Sequence, residues 1–229
     1  MKRTFGRLLM FSFVVSWCMP MHSQSEPEPR PGASTDLRLS IRVYNSAQVP
    51  SAHLAQAEAI AAEVLAHANM QVIWTDCTAN GTTEQRETAC KSPFRPTHLA
   101  LAIAEHFAPD GGAVRATTLG YAVIPGGFAL GHSAQVSLQR AEALAIQCDV
   151  AVELVLGLAM AHEIVHLLLG SNGHSAAGLM RERWEGADLE LATRGQLQLS
   201  ARESQQIQAN LRSRWEQQLR QQALVAAPK

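Results

Sequence analysis

The sequence predicts an α+β fold: a mixed sheet of about five strands with one early helix, one long buried helix late in the chain, and a closing helix. Three observations lead there. Short segments alternating apolar and polar residues recur up to residue 138, the first of them followed by a helix and a second strand. The run "DVAVELVLGLAMAHEIVHLLLG" (149–170) is too apolar to face water along its length. The tail "LSARESQQIQANLRSRWEQQLRQQ" places apolar residues at 207, 211, 215 and 219, a helical spacing.

Taken in order, "LRLSIRVYN" (37–45) alternates as a half-buried strand does. After Pro50, "SAHLAQAEAIAAEVLAHA" (51–68) carries an apolar stripe of Leu54, Ala57, Ile60, Ala61, Val64 and Leu65, the mark of an amphipathic helix. "QVIWTDC" follows as a second strand, and strand, helix, strand in this order imply a right-handed crossover within one sheet. "HLALAIAEHF" (98–107), "TLGYAVIPGG" (118–127) and "HSAQVSL" (132–138) read as three more strands, the first also compatible with a short helix. Gly126, Gly127 and Gly131 mark a turn between the last two. In the run 149–170, Asp149 is placed to cap the first turn and Gly170 to end the helix.

The ends and the charge bound the biology. Lys2, Arg3 and Arg7 precede the apolar "LLMFSFVVSW", the order of a secretory signal, too short to span a bilayer. The expected organisation is a signal peptide over 1–23, a Pro-, Glu- and Ser-rich lead-in over 24–36 and one domain over 37–229. Lipidation at Cys18 is the alternative to simple cleavage, although the bulky Trp17 suits it poorly. Losing the leader leaves 16 basic against 20 acidic side chains, near −4 with histidines neutral, which excludes a basic nucleic-acid-binding surface. A secreted or periplasmic monomer with no stable membrane insertion is expected. In such a compartment the 13-residue spacing of Cys77 and Cys90 suggests a loop-closing disulfide, while pairing with Cys148 stays open.

Chemistry concentrates in "HEIVHLLLGSNGHSAAGLM" (162–180). Between Val150 and Leu169 the only polar side chains are Glu153, His162, Glu163 and His166. Helical residues four apart share a face, so His162 and His166 can place two imidazole nitrogens on one zinc ion, with Glu163 one step around. A catalytic zinc takes three protein ligands, and Gly170 and Gly173 let the chain turn back to offer His174. Asn172, Glu185 and Glu190 remain alternatives for that third place. An unpaired carboxylate and two imidazoles buried in an apolar helix would be costly, and a metal offsets the cost.

The stretch resembles the zinc signature and Met-turn of the metzincin metallopeptidases, and its "HS" followed by "LM" is most similar to the matrixins. The resemblance implies a zincin-like fold, His162, His166 and His174 as zinc ligands, Glu163 as general base, Gly170 as the helix-ending glycine and Met180 as the turn methionine. It also implies that "LGYAVIPGG" to "AQVSL" holds an edge strand lining a substrate cleft. The spacing departs from the family pattern: Gly170 lies four residues and His174 eight after His166, against three and six, and Asn172 occupies the usual ligand position. The function expected is a secreted zinc endopeptidase acting on peptide or protein. A non-catalytic zinc-binding module and an inert domain with buried histidines are the competing classes. Tyr121 and His132 are candidates for oxyanion contact, and Arg181 and Arg183 for shaping a subsite, though a structural role is the plainer reading of each. Trp74 and Trp184 read as core.

Overall fold

The computed structural model describes residues 38–78, 84–107, 118–125 and 131–226. The proposed leader and lead-in lie outside the described residues, as do Gly126 and Gly127.

Five strands form one mixed sheet: β1 (Arg38–Asn45), β2 (Gln71–Asp76), β3 (His98–Ala104), β4 (Gly120–Val123) and β5 (Ser133–Ser137). Their order across the sheet is β2-β1-β3-β5-β4. β1 pairs in parallel with β2 and β3, and β3 with β5, while β4 runs antiparallel to β5 at the sheet edge. The alternation read from the sequence sets which face is buried. Leu39, Ile41 and Val43 of β1 and Leu99, Leu101 and Ile103 of β3 are sealed from water on one face, each such side chain contributing about 1.5–3 kcal/mol by burial. Arg38, Ser40, His98 and Ala100 point to the other.

Helix α1 (Ser51–Ala66) links β1 to β2, and its buried stripe of Leu54, Ala57, Ala61, Val64 and Leu65 faces the core. The loop after β2 is not wholly irregular, because α2 (Glu84–Lys91) forms within it. A Cys77–Cys90 disulfide closes that loop, and Cys148 is a partly buried free thiol.

The chain after β5 departs from the sequence expectation. Helix α3 (Leu138–Cys148) starts directly after the strand, with Ser137 Oγ accepting from the Arg140 backbone N–H. Asp149 does not cap the long helix. It ends α3 in the left-handed conformation at φ 52°, and α4 (Val152–Leu169) begins after an extended Ala151. Gly170 then ends α4 at φ 65°. α4 is long and apolar enough to cross a bilayer, yet it is the central core helix, packed by α1, α3, α6 and the sheet. It approaches α1 closely at Gly157, where a Cβ would stand 2.6 Å from the Ala57 carbonyl oxygen.

Two helices complete the chain, α5 (Gly186–Thr193) and α6 (Ala201–Ala226). Sequence patterning missed α2, α3 and α5. It also misplaced the far half of the α6 stripe. A spacing of four drifts by about 40° per step on a helix of 3.6 residues per turn, so Leu219 is 48% exposed and the buried positions after Ile207 and Leu211 are Arg214 and Gln218.

Candidate metal centre

The core position of α4 brings His162 and His166 to one wall of a cleft, one turn apart and both buried. The helix stops at Gly170, and the return loop carries His174 back to them. The His174 ring centroid is 5.3 Å from His162 and 4.9 Å from His166, and the nearest ring nitrogens of all three lie within 4.8 Å of one another. His174 itself is exposed. Its loop is anchored by the Ser175 hydroxyl, which donates to Glu203, and by the Ser175 N–H, which donates to Met180 O at 2.7 Å.

Backbone carbonyls fix the tautomers. His162 Nδ1 lies 2.8 Å from Leu179 O, and His166 Nδ1 lies 2.8 Å from Ser171 O. A carbonyl only accepts, so each Nδ1 holds the ring proton and each Nε2 is left with a lone pair. Those two Nε2 atoms face each other at 2.9 Å. Two acceptors with no proton between them repel, and a shared cation removes the conflict. Burial first, then neighbouring His166, holds His162 down to about 3, and burial likewise lowers His166, so both are neutral donors of the kind a borderline-soft divalent ion takes.

Glu163 is also buried, and its Oε2 has no hydrogen-bond partner. Burial pushes its carboxyl up to about 8. Its other neighbour is the backbone of β4: a Cβ on Gly120 would fall 2.6 Å from Glu163 Cγ and Oε1. An orphaned carboxylate oxygen beside three convergent imidazoles fits a metal centre rather than an inert core.

The turn beyond the loop supports these groups. Arg181 N–H donates to Gly178 O at 3.1 Å, closing a tight turn around Leu179 and Met180, with Gly178 at φ 78° and no room for a Cβ against Gln198 O. Met180 is 1% exposed. Trp184 Nε1 shares the Leu179 carbonyl with His162, its ring edge-on to His162 at 5.7 Å. Trp184 is thus core and site wall together.

The cleft has a volume of about 920 Å³. Thr118 to Ala122, at the edge strand, form one side, α3 residues such as Leu144 and Gln147 another, and α4, the return loop and the segment 181–186 the rest. Arg181 and Arg183 both line it, with Arg181 paired to Asp188 at 2.6 Å. Asn172 and Glu185 line it too; Glu185 caps α5 and Glu190 pairs with Arg194, and neither carboxylate belongs to the histidine cluster.

Tyr121 alternates away from Glu163 and donates to Gln135 Oε1 at 2.8 Å. His132 Nδ1 donates to the His98 carbonyl at 2.9 Å. His53 pairs with Glu153, and His106 with Gln139, away from the cluster. Sequence reasoning overlooked Gly120 and the carbonyls of Ser171 and Leu179. Only the first left a signal, since a glycine inside a strand marks a close approach.

No protein-family model and no curated protein matches the chain. Among solved structures it resembles archaemetzincin from Methanopyrus kandleri, with 18% identity, a TM-score of 0.50, and coverage of 79% of this chain and 99% of that one. At that identity the likeness concerns the fold, and the chain has the α+β zincin-like fold, a mixed five-stranded sheet with a histidine-bearing central helix and a C-terminal helix.

Proposed function

We propose that the chain is a zinc-dependent endopeptidase of the metzincin superfamily. The observation that carries the reading is the pair of buried Nε2 lone pairs facing each other at 2.9 Å, with His174 alongside and the Glu163 carboxylate unpartnered next to them. His162, His166 and His174 would hold the ion. Zinc bound there supplies Lewis acidity toward a carbonyl and makes water more acidic.

The chain's own groups do the rest. Glu163, which burial alone would keep protonated and a cation held by the histidines would ionise, accepts the proton of the attacking water at its unpaired Oε2 and passes it to the departing amine nitrogen. The Leu179 and Ser171 carbonyls keep both helical imidazoles in the tautomer that presents Nε2. Among the described residues β4 is the edge of the sheet and runs along the cleft, which suits an extended peptide. The "HS" and "LM" residues favour a matrixin-like member, with the loop to the third ligand two residues longer. The basic and apolar N-terminal stretch and the Cys77–Cys90 disulfide support a secreted or periplasmic location.

Glu163→Gln tests the reading, because it keeps the size of the side chain and removes the proton acceptor. Zinc content should stay the same while cleavage of a library-selected peptide falls by about 10²- to 10⁴-fold. Equal rates in both proteins would assign the cleavage elsewhere. A zinc-loaded wild type that cuts nothing in a diverse peptide library would make the chain a non-catalytic zinc-binding module.

A further inference from the structure

Gly120 sits on the buried face of the edge strand, opposite the helix turn that carries Glu163. Its φ is not in the left-handed region, so the backbone there accepts any L-residue and the glycine is not explained by conformation. Space explains it. A Cβ would lie 2.6 Å from Glu163 Cγ, 2.6 Å from Oε1 and 2.8 Å from Cδ. Cγ is the methylene and Cδ the carboxyl carbon itself, so rotating the two oxygens about the Cγ–Cδ bond moves neither and does not relieve the overlap.

Neither wall of this slot can retreat freely. Gly120 pairs with Val136 of β5, the Leu119 carbonyl accepts from the Ser137 N–H at 2.9 Å, and the Thr118 carbonyl accepts from Arg140 at 2.6 Å. On the other side, every residue of α4 from Val155 to Leu168 is buried.

We propose that Gly120 is a positioning residue: the missing side chain on β4 creates the slot that holds the Glu163 carboxylate beside the three histidines. This rests on the reading of Glu163 as the proton acceptor. The metal ligands arise within one short stretch of chain, but the place of the base is set by a strand 43 residues upstream. Any side chain at position 120 displaces the carboxylate while leaving the imidazoles where they are.

The test is a double-mutant cycle on the full chain with two readouts. In the metal-free protein, Gly120→Ala should lower Tm by on the order of 5 °C, whereas adding it to Glu163→Ala should cost almost nothing, because the overlapping atoms are gone. An equal loss in both backgrounds would overturn the proposal. If Gly120→Ala fails to fold, recovery of folding in the double variant supports the contact, and failure of both variants refutes it. In the zinc-loaded protein, Gly120→Ala should keep its zinc and its KM and lose on the order of 10²-fold in kcat. A raised KM with unchanged kcat would mean that Gly120 serves the substrate and not Glu163. Should wild type cleave no peptide, the endopeptidase reading fails, and the stability cycle still decides whether Gly120 holds Glu163 in place.

Discussion

Arg214→Met replaces the most heavily engaged buried charge of α6. Arg214 is 3% exposed, and its guanidinium donates to Pro96 O at 3.2 Å, to Gly131 O from both terminal nitrogens at 3.2 Å, and to Leu167 O at 2.6 Å. Burial lowers its pKa to about 10, so it stays charged at neutral pH. Leu167 O is one of the final carbonyls of α4 that lack a helical N–H, since the N–H groups of Gly170 and Ser171 both turn to His166 O. The neighbouring Leu168 O is served the same way, by Asn210 at 2.8 Å. A cation at a helix C-terminus also complements its dipole. Methionine fills similar volume but leaves three buried carbonyls unsatisfied, each costing about 1–3 kcal/mol, partly offset by no longer burying a charge. The net loss should be about 3–5 kcal/mol, or a Tm about 10 °C lower. Urea unfolding should show the midpoint falling at constant m-value. Arg214→Lys should recover part of the loss. A loss below about 1 kcal/mol for Arg214→Met would refute the view that α6 completes the end of α4 through this side chain.

Two further outcomes follow from the same geometry. Wild type should retain about one zinc per chain after dialysis, and His174→Ala should lose it while its metal-free Tm stays at the wild-type value, because His174 is exposed; full zinc retention in the variant would remove His174 from the ligand set. In the metal-free protein the Glu163 carboxyl is raised from 4.5 to about 8, so the folded state binds that proton more tightly than the unfolded one and the Glu163 contribution to stability falls as pH rises through that window, against the opposite contribution of the lowered His162 and His166 below 6.5. Glu163→Gln should therefore gain on wild type between pH 4.5 and 8, by at most about 5 kcal/mol, and parallel pH–stability curves would refute a buried neutral Glu163.

Legibility in the sequence followed the physical signal each element carries. β1 and β5 alternate apolar with polar residues, a period hard to produce otherwise, whereas β3 sets Leu99, Leu101 and Ile103 between alanines, which left a short helix open. α4 is apolar nearly throughout, and its few polar residues are the site itself. α3 escaped because "LQRAEALAIQC" runs straight out of a strand with no turn residues to separate them. Asp149 looked like a cap for the next helix because aspartate suits both an N-cap and a left-handed helix end. In α6, Arg214 and Gln218 occupy the buried face because the end of α4 needed a donor and the Thr97 hydroxyl an acceptor there, a demand that no pattern within α6 reveals. The role of Gly120 depends on which helix lies across from it, and only the folded chain supplies that neighbour.

The close crossing of α1 and α4 at Gly157 also acts as a ruler. Adding or deleting one residue between Gly157 and His166 would rotate the imidazoles by about 100° and shift them about 1.5 Å along the axis, while the Ala57 carbonyl kept the glycine in place. Length is therefore fixed upstream of the cluster. Downstream, the exposed residues Ser171 to Gly173 are tied mainly through His166 and Ser171 itself, so that stretch can take up insertions that the helix cannot. Natural variation in chain length around this site should collect between Gly170 and His174, and grafting of foreign loops will find its tolerant point there.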